Sequence, residues 1–165
     1  MNNQKAKPKR SSQTAGNLGE HRIIESMRNY FDVMPNMLVA FGDDVSAVPV
    51  DEGDIAVLKA DMLVAKTDVP RGMSFWQAAR KAVVMNVSDF AAKGVAPKAV
   101  MVSLGLPAAL LRGDLEEIAK GLNAGAREFG AYVVGGDTAE SADVIISIQL
   151  FGTSQKQGLM LRGGA

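Results

Sequence analysis

The chain has 165 residues, 47% hydrophobic and 22% charged, which is the profile of one globular domain with a sizeable core. It holds no cysteine and a single histidine, His21, set among charged residues. Disulfide frameworks, zinc fingers, iron–sulfur clusters, cysteine nucleophiles and multi-histidine metal sites are thereby excluded, and a Ser-His-Asp enzyme is disfavoured. The net charge of zero is composite: Lys5, Lys7, Lys9 and Arg10 give the first nineteen residues +4, and the remainder carries −4. No apolar run approaches the roughly 18 residues of a membrane span, and the tail lacks the apolar stretch of a signal peptide. The expectation is a cytoplasmic protein with no membrane partner. Its residues 1–17 are expected to form a disordered basic tail, better read as a solvated terminus than as a nucleic-acid arm.

Ile23, Ile24, Met27 and Phe31 recur at helical spacing and predict a helix over residues 21–31, ended by Pro35 and Asn36. Residues 37–41 read as a short strand broken by Gly42-Asp43-Asp44. Residues 54–65 read as a strand interrupted only by Asp61, and Pro70, Arg71 and Gly72 mark a loop. A long helix is predicted over residues 74–93, capped by Ser74 and ended by Gly94, with Trp76, Ala79, Val83, Val87 and Phe90 as its apolar stripe. Residues 99–106 form a buried strand closed by Pro107. The next helix is expected to start at Asp114, with Glu117 completing a capping box. It buries Leu115, Ile118, Leu122, Ala126 and Phe129 and stops at Gly130. Residues 131–134 give a fourth strand that turns at Gly135-Gly136-Asp137-Thr138. Residues 144–151 give a fifth, with Ile146, Ile148 and Leu150 on one face and Ser147 and Gln149 on the other. Five strands and three helices in mixed order make the class α/β. The closing Leu161-Arg162-Gly163-Gly164-Ala165 reads as a domain boundary.

Four aspartates stand where local structure does not ask for them. Asp44 follows a strand, Asp61 interrupts one, Asp89 lies on the long helix, and Asp137 follows two glycines. Turn chemistry accounts for any one of them alone, and Lys93, four residues past Asp89, offers a surface ion pair. Taken together, in a chain without cysteine or clustered histidine, they make an oxygen-only donor set suited to Mg²⁺ bound with phosphates. Asn86 shares the helical face of Asp89. Gly135-Gly136 allows positive φ and close backbone approach to a phosphate. Both G-x-x-x-x-G-K-[ST] and G-x-G-x-x-G are absent. The residues alone therefore point to phosphoryl transfer on some other fold.

Five segments, taken in order, carry a resemblance. They are Phe41-Gly42-Asp43-Asp44, Lys59-Ala60-Asp61-Met62-Leu63-Val64, Asn86-Val87-Ser88-Asp89-Phe90-Ala91-Ala92-Lys93-Gly94, Val134-Gly135-Gly136-Asp137-Thr138, and Leu161-Arg162-Gly163-Gly164-Ala165. Their order and spacing resemble the thiamine-monophosphate kinases. That family belongs to the superfamily of aminoimidazole ribonucleotide synthetase (PurM), selenophosphate synthetase and HypE. The resemblance covers residues 18–165. It implies the N-terminal ATP-binding domain of that fold: a PurM-like mixed sheet with helices on one face, two protomers closing a barrel across a homodimer. The C-terminal domain is expected beyond Ala165.

The implied activity is phosphorylation of thiamine monophosphate by ATP, giving thiamine diphosphate through Mg²⁺-assisted in-line transfer. The acceptor is already an anion, so no catalytic general base is implied. The alternatives are another ATP-dependent enzyme of the superfamily or a nucleotide-binding dimerisation module without turnover. Carried over by position, Asp44, Asp61, Asp89 and Asp137 are the metal-binding aspartates, with backbone oxygens of Lys59 and Ala60 beside them. Gly136, Asp137 and Arg162 match ATP-contacting positions. Two departures stand out. Lys59-Ala60 replaces the Ser/Thr-Thr of many bacterial members, and Asp68 takes the place of their histidine facing thiamine monophosphate, as in archaeal members.

Overall fold

The computed structural model describes residues 13–39, 41–51 and 53–160. The basic residues of the tail and Arg162 lie outside them. The chain divides into two units, residues 1–35 and 36–165. The first holds helices α1 (Ala15–Leu18) and α2 (Glu20–Arg28). Helix α2 stops three residues short of the predicted end. Its last carbonyls accept i+3 bonds instead, from the N–H of Tyr30 to Met27 and from Phe31 to Arg28.

The second unit contains one five-stranded sheet in the order β1-β2-β5-β3-β4. The strands are β1 (Ser46–Pro49), β2 (Asp54–Val64), β3 (Pro97–Leu106), β4 (Tyr132–Glu140) and β5 (Ile145–Gln155). Only β3 and β4 run parallel. Sequence reading misplaced the first strand. Residues 37–39 and Phe41 are not extended, and Val39 is nonetheless buried, so the apolar run there reports burial and not a strand. The strand itself lies further on, where Val45 and Ala47 enter the core. In β5 the alternation holds as expected: Ile146, Ile148 and Leu150 are buried and the residues between them are not.

The buried face of the sheet is covered by α4 (Phe75–Ala92) and α5 (Arg112–Glu128). A capping box starts α4: Ser74 Oγ accepts from the Gln77 N–H, and Gln77 Oε1 accepts from the Ser74 N–H. Gly94, at φ +71°, ends it. Helix α5 begins two residues earlier than predicted, at Arg112, and Leu111 supplies no side-chain cap. Asp114 thus falls in the first turn, where a carboxylate favours the helix dipole without capping, and Glu117 accepts from Lys120 at 2.9 Å. The predicted stripe also shifts. Leu115 and Phe129 are each 37% exposed, while Gly121 and Gly125 are buried. A Cβ on Gly121 would overlap the Trp76 carbonyl oxygen, and one on Gly125 would come within 3.0 Å of Val83. The two helices approach each other through these glycines.

Candidate functional site

Strand β2 and helix α4 together build a lysine-centred cluster. Lys59 and Asp61 are two residues apart on β2, so they share a face, and that face is the one α4 covers. Asp89 comes down from α4. Lys59 Nζ lies 2.7 Å from Asp89 Oδ2 and 3.2 Å from Asp61 Oδ2. The lysine side chain is 13% exposed, against 41% for Asp61 and 32% for Asp89, so the cation is inside and the carboxylates are outside. Burial pulls the Lys59 pKa down, but Asp89 and Asp61 outweigh it and hold the ammonium above its ordinary value. Asp61 and Asp89 line a cleft of about 530 Å³ together with Ser88, Arg80 and Lys81. Arg80 is held by Glu128 of α5 at 2.7–2.9 Å.

A second lysine closes a second pair of aspartates. Lys93 Nζ, almost wholly buried, lies 2.5 Å from Asp43 Oδ1 and 3.6 Å from Asp44 Oδ2. The surface pair expected between Asp89 and Lys93 is therefore not formed, since each has a different partner. The side chains of Lys59 and Lys93 were missed as site members. The available signal was a lysine two residues from an aspartate inside an apolar strand.

Asp137 is placed differently from the expectation of a turn. Residues 135–138 are not a turn but the middle of β4, and neither Gly135 nor Gly136 has positive φ. What Gly136 provides is close approach of strands: a Cβ there would collide with the Val102 carbonyl of β3, whereas one on Gly135 would meet nothing within 4 Å. Asp61, Ile148, Val102 and Gly136 lie in one row across four strands. Asp137 lies in the next row, with Met62, Ser147 and Ser103, so it stands three strand spacings from Asp61, roughly 14 Å, with its side chain on the face away from α4.

Among the described residues no three carboxylates or imidazoles converge to hold a metal ion by themselves. The donor chemistry still fits Mg²⁺, which is commonly held by one or two carboxylates with substrate phosphates and water supplying the rest. The Asp61–Asp89 pair already carries a cation in the ammonium of Lys59. Backbone ligation narrows as well. Strand β1 pairs with β2 only up to Leu58, so from Lys59 onward that edge of β2 has no strand neighbour. Consecutive carbonyls point to opposite edges, so one of Lys59 and Ala60, not both, presents its oxygen there.

Asp68 closes α3 (Ala65–Asp68), a single turn where a loop was expected. Its Oδ2 accepts from the Val64 N–H at 2.8 Å, and this bond holds the carboxyl below its ordinary value. The Asp68 carbonyl accepts from Lys81 Nζ at 2.8 Å, tying this turn to the helix that lines the cleft.

Two carboxylates thus face a cleft beside a mixed α/β domain, a five-stranded sheet with two helices on its buried face. Residues 42–154 match the AIR synthase related protein, N-terminal domain family, and the chain belongs to that family. It is 43% identical over 144 residues to a thiamine-monophosphate kinase of Pyrococcus horikoshii, covering 87% of this chain and 45% of the relative. A thiamine-monophosphate kinase of Nitrosopumilus maritimus is 40% identical over 114 residues, covering 69% of this chain and 36% of the relative. The chain therefore spans less than half the length of these relatives. Among solved structures, AaThiL complexed with AMPPCP and TMP superposes with a TM-score of 0.78 at 26% identity, covering 87% of this chain and 45% of that one. A HypE–HypF complex, at 23% identity and a TM-score of 0.62, shares the fold.

Proposed function

We propose that this chain is the nucleotide-binding part of a kinase that moves the γ-phosphoryl group of ATP onto the phosphate of thiamine monophosphate. The observation that carries the reading is the Asp61–Asp89 cleft, which falls inside the segment matching the family. The thiamine-monophosphate kinase relatives supply the acceptor. Carboxylates facing polyphosphate repel it unless cations stand between them. Mg²⁺ would supply that neutralisation, with Asp61 and Asp89 at one position, Asp137 at another and Asp44 beside them. A span of roughly 14 Å between the Asp61 and Asp137 positions is too wide for one ion, so the two belong to separate positions. Gly136 keeps the backbone at Asp137 close to β3, and Arg162 contacts the nucleotide. Asp68 orients the acceptor from the turn that Lys81 anchors.

Charge neutralisation and alignment do the catalytic work here, because the attacking phosphate oxygen needs no base. The test is ADP release from Mg²⁺–ATP with and without thiamine monophosphate. Stimulation by thiamine monophosphate supports the reading, and Asp68→Ala should raise the KM for it far more than the KM for ATP. Nucleotide binding with no acceptor-dependent turnover would instead favour a dimerisation module.

A homodimer is part of the same proposal. The sheet face away from α4 and α5 leaves Leu58, Met62, Met101 and Phe151 between 39% and 59% exposed, a patch that twofold pairing of sheets into a barrel would cover. Sedimentation at micromolar concentration should give twice the chain mass, and Met62→Asp should lower it to one. A monomer in the parent protein would sink this part.

A further inference from the structure

The internal cation at the Asp61–Asp89 pair has a consequence for how many metal ions the cleft takes. Asp61 comes from a strand and Asp89 from a helix, and nothing in either element by itself brings two like charges together. Lys59 does. Its ammonium sits on the inner side of both carboxylates, 2.7 and 3.2 Å away, and is less exposed than either. The carboxylates keep their outer sides toward the cleft. One positive charge against two negative ones leaves the pair anionic, so it still attracts a cation arriving with a ligand, but only one net charge remains to be matched. A lysine ammonium is a compact point charge with three donors, able to bridge two carboxylates much as an ion does.

We propose that Lys59 is a resident counter-ion that takes the place of one divalent cation between Asp61 and Asp89. It assembles the pair before any nucleotide binds and limits this part of the cleft to the single ion that comes with the phosphates. The proposal deepens the reading of the cleft as a Mg²⁺–nucleotide site and rests on it. It predicts that removing the ammonium makes the pair a better metal site, the opposite of what deleting a supporting residue would do.

The test uses Mn²⁺ as a probe, followed by electron paramagnetic resonance of the free ion, with no nucleotide or thiamine monophosphate present. Replacing Lys59 by the neutral Thr or Met should tighten Mn²⁺ binding at least about tenfold or add one bound ion per chain. Lys59→Arg keeps the charge and should leave the parent isotherm unchanged. The double variant Lys59→Thr with Asp89→Asn should lose the gain, which places the added ion at this pair. Identical isotherms for the parent protein, Lys59→Thr and Lys59→Met would overturn the proposal, and so would weaker Mn²⁺ binding in the neutral variants. If Lys59→Met does not fold, Lys59→Thr and Lys59→Arg still decide the matter. Because turnover is not measured, absence of kinase activity would count against the proposed function and leave the Mn²⁺ result standing or falling separately.

Discussion

Lys59 and Lys93 each sit between two aspartates, yet the two clusters are built to different ends. Around Lys93 the lysine side chain is 4% exposed and Asp43 15%, and only Asp44, at 35%, reaches out. Around Lys59 only the cation is enclosed, and both carboxylates reach a cleft. The difference lies in the elements. Lys93 caps the C-terminal end of α4, where its carbonyl accepts from Met160 N–H and its ammonium holds Asp43 and Asp44 ahead of β1. Lys59 lies mid-strand beyond the reach of β1, where the sheet edge opens. A buried pair that loses one partner leaves an uncompensated charge, whereas a half-exposed pair lets water take over. Loss of the lysine is therefore expected to cost the fold more at Lys93 than at Lys59.

The largest expected effect follows from that contrast. Lys93→Met should lower the unfolding free energy by about 3 kcal/mol in urea denaturation, and Lys59→Met by less than about 1 kcal/mol. Equal losses at the two positions would erase the distinction. Next in size is a fold determinant placed beside a site residue. Gly136→Ala should cost about 2 kcal/mol, because the methyl group has only the Val102 backbone to displace. Gly135→Ala should stay within about 0.5 kcal/mol, since nothing stands near its Cβ. Comparable damage from both would mean that β4 yields at its edge.

On the binding side, Mg²⁺ with AMPPCP should raise the melting temperature of the parent protein by mass action. Asp89→Asn should remove roughly 1.4 kcal/mol of that stabilisation, a tenfold loss of affinity, with little change when no ligand is present. A ligand-free Asp89→Asn protein melting far below the parent would move Asp89 into the structural group with Lys93.

The smallest effect concerns acid. The folded-state pKa of Asp68 is lowered from 3.8 by the Val64 N–H. Its contribution to stability is therefore present above about pH 3.8 and is lost as pH falls through the lower folded value. The stability gap between the parent protein and Asp68→Ala should narrow over that acidic window and stay constant above it. A gap that widens on acidification would contradict the hydrogen bond.

Much of this molecule is written locally. The long helix from the Ser74 cap to Gly94, the strands read at residues 54–65 and 144–151, and the alternation of β5 follow from periodicity and end signals, because helix and strand repeats depend on neighbours a few residues away. The four aspartates stood out for the same reason, as polar groups breaking local patterns. The rest required the third dimension. Residues 37–41 are apolar like a strand, yet Val39 is buried without strand pairing. Gly136 looks like a turn glycine, and only the approach of Val102 reveals a packing glycine. Asp89 has Lys93 four residues away and pairs instead with Lys59, thirty residues earlier, because α4 packs on the face of β2 that carries Lys59. Sequence by itself determined the long helices and most of the strands, and singled out the aspartates. Which carboxylate meets which cation, and whether water reaches them, was decided by strand order and helix packing, since both bring together residues whose separation along the chain carries no signal.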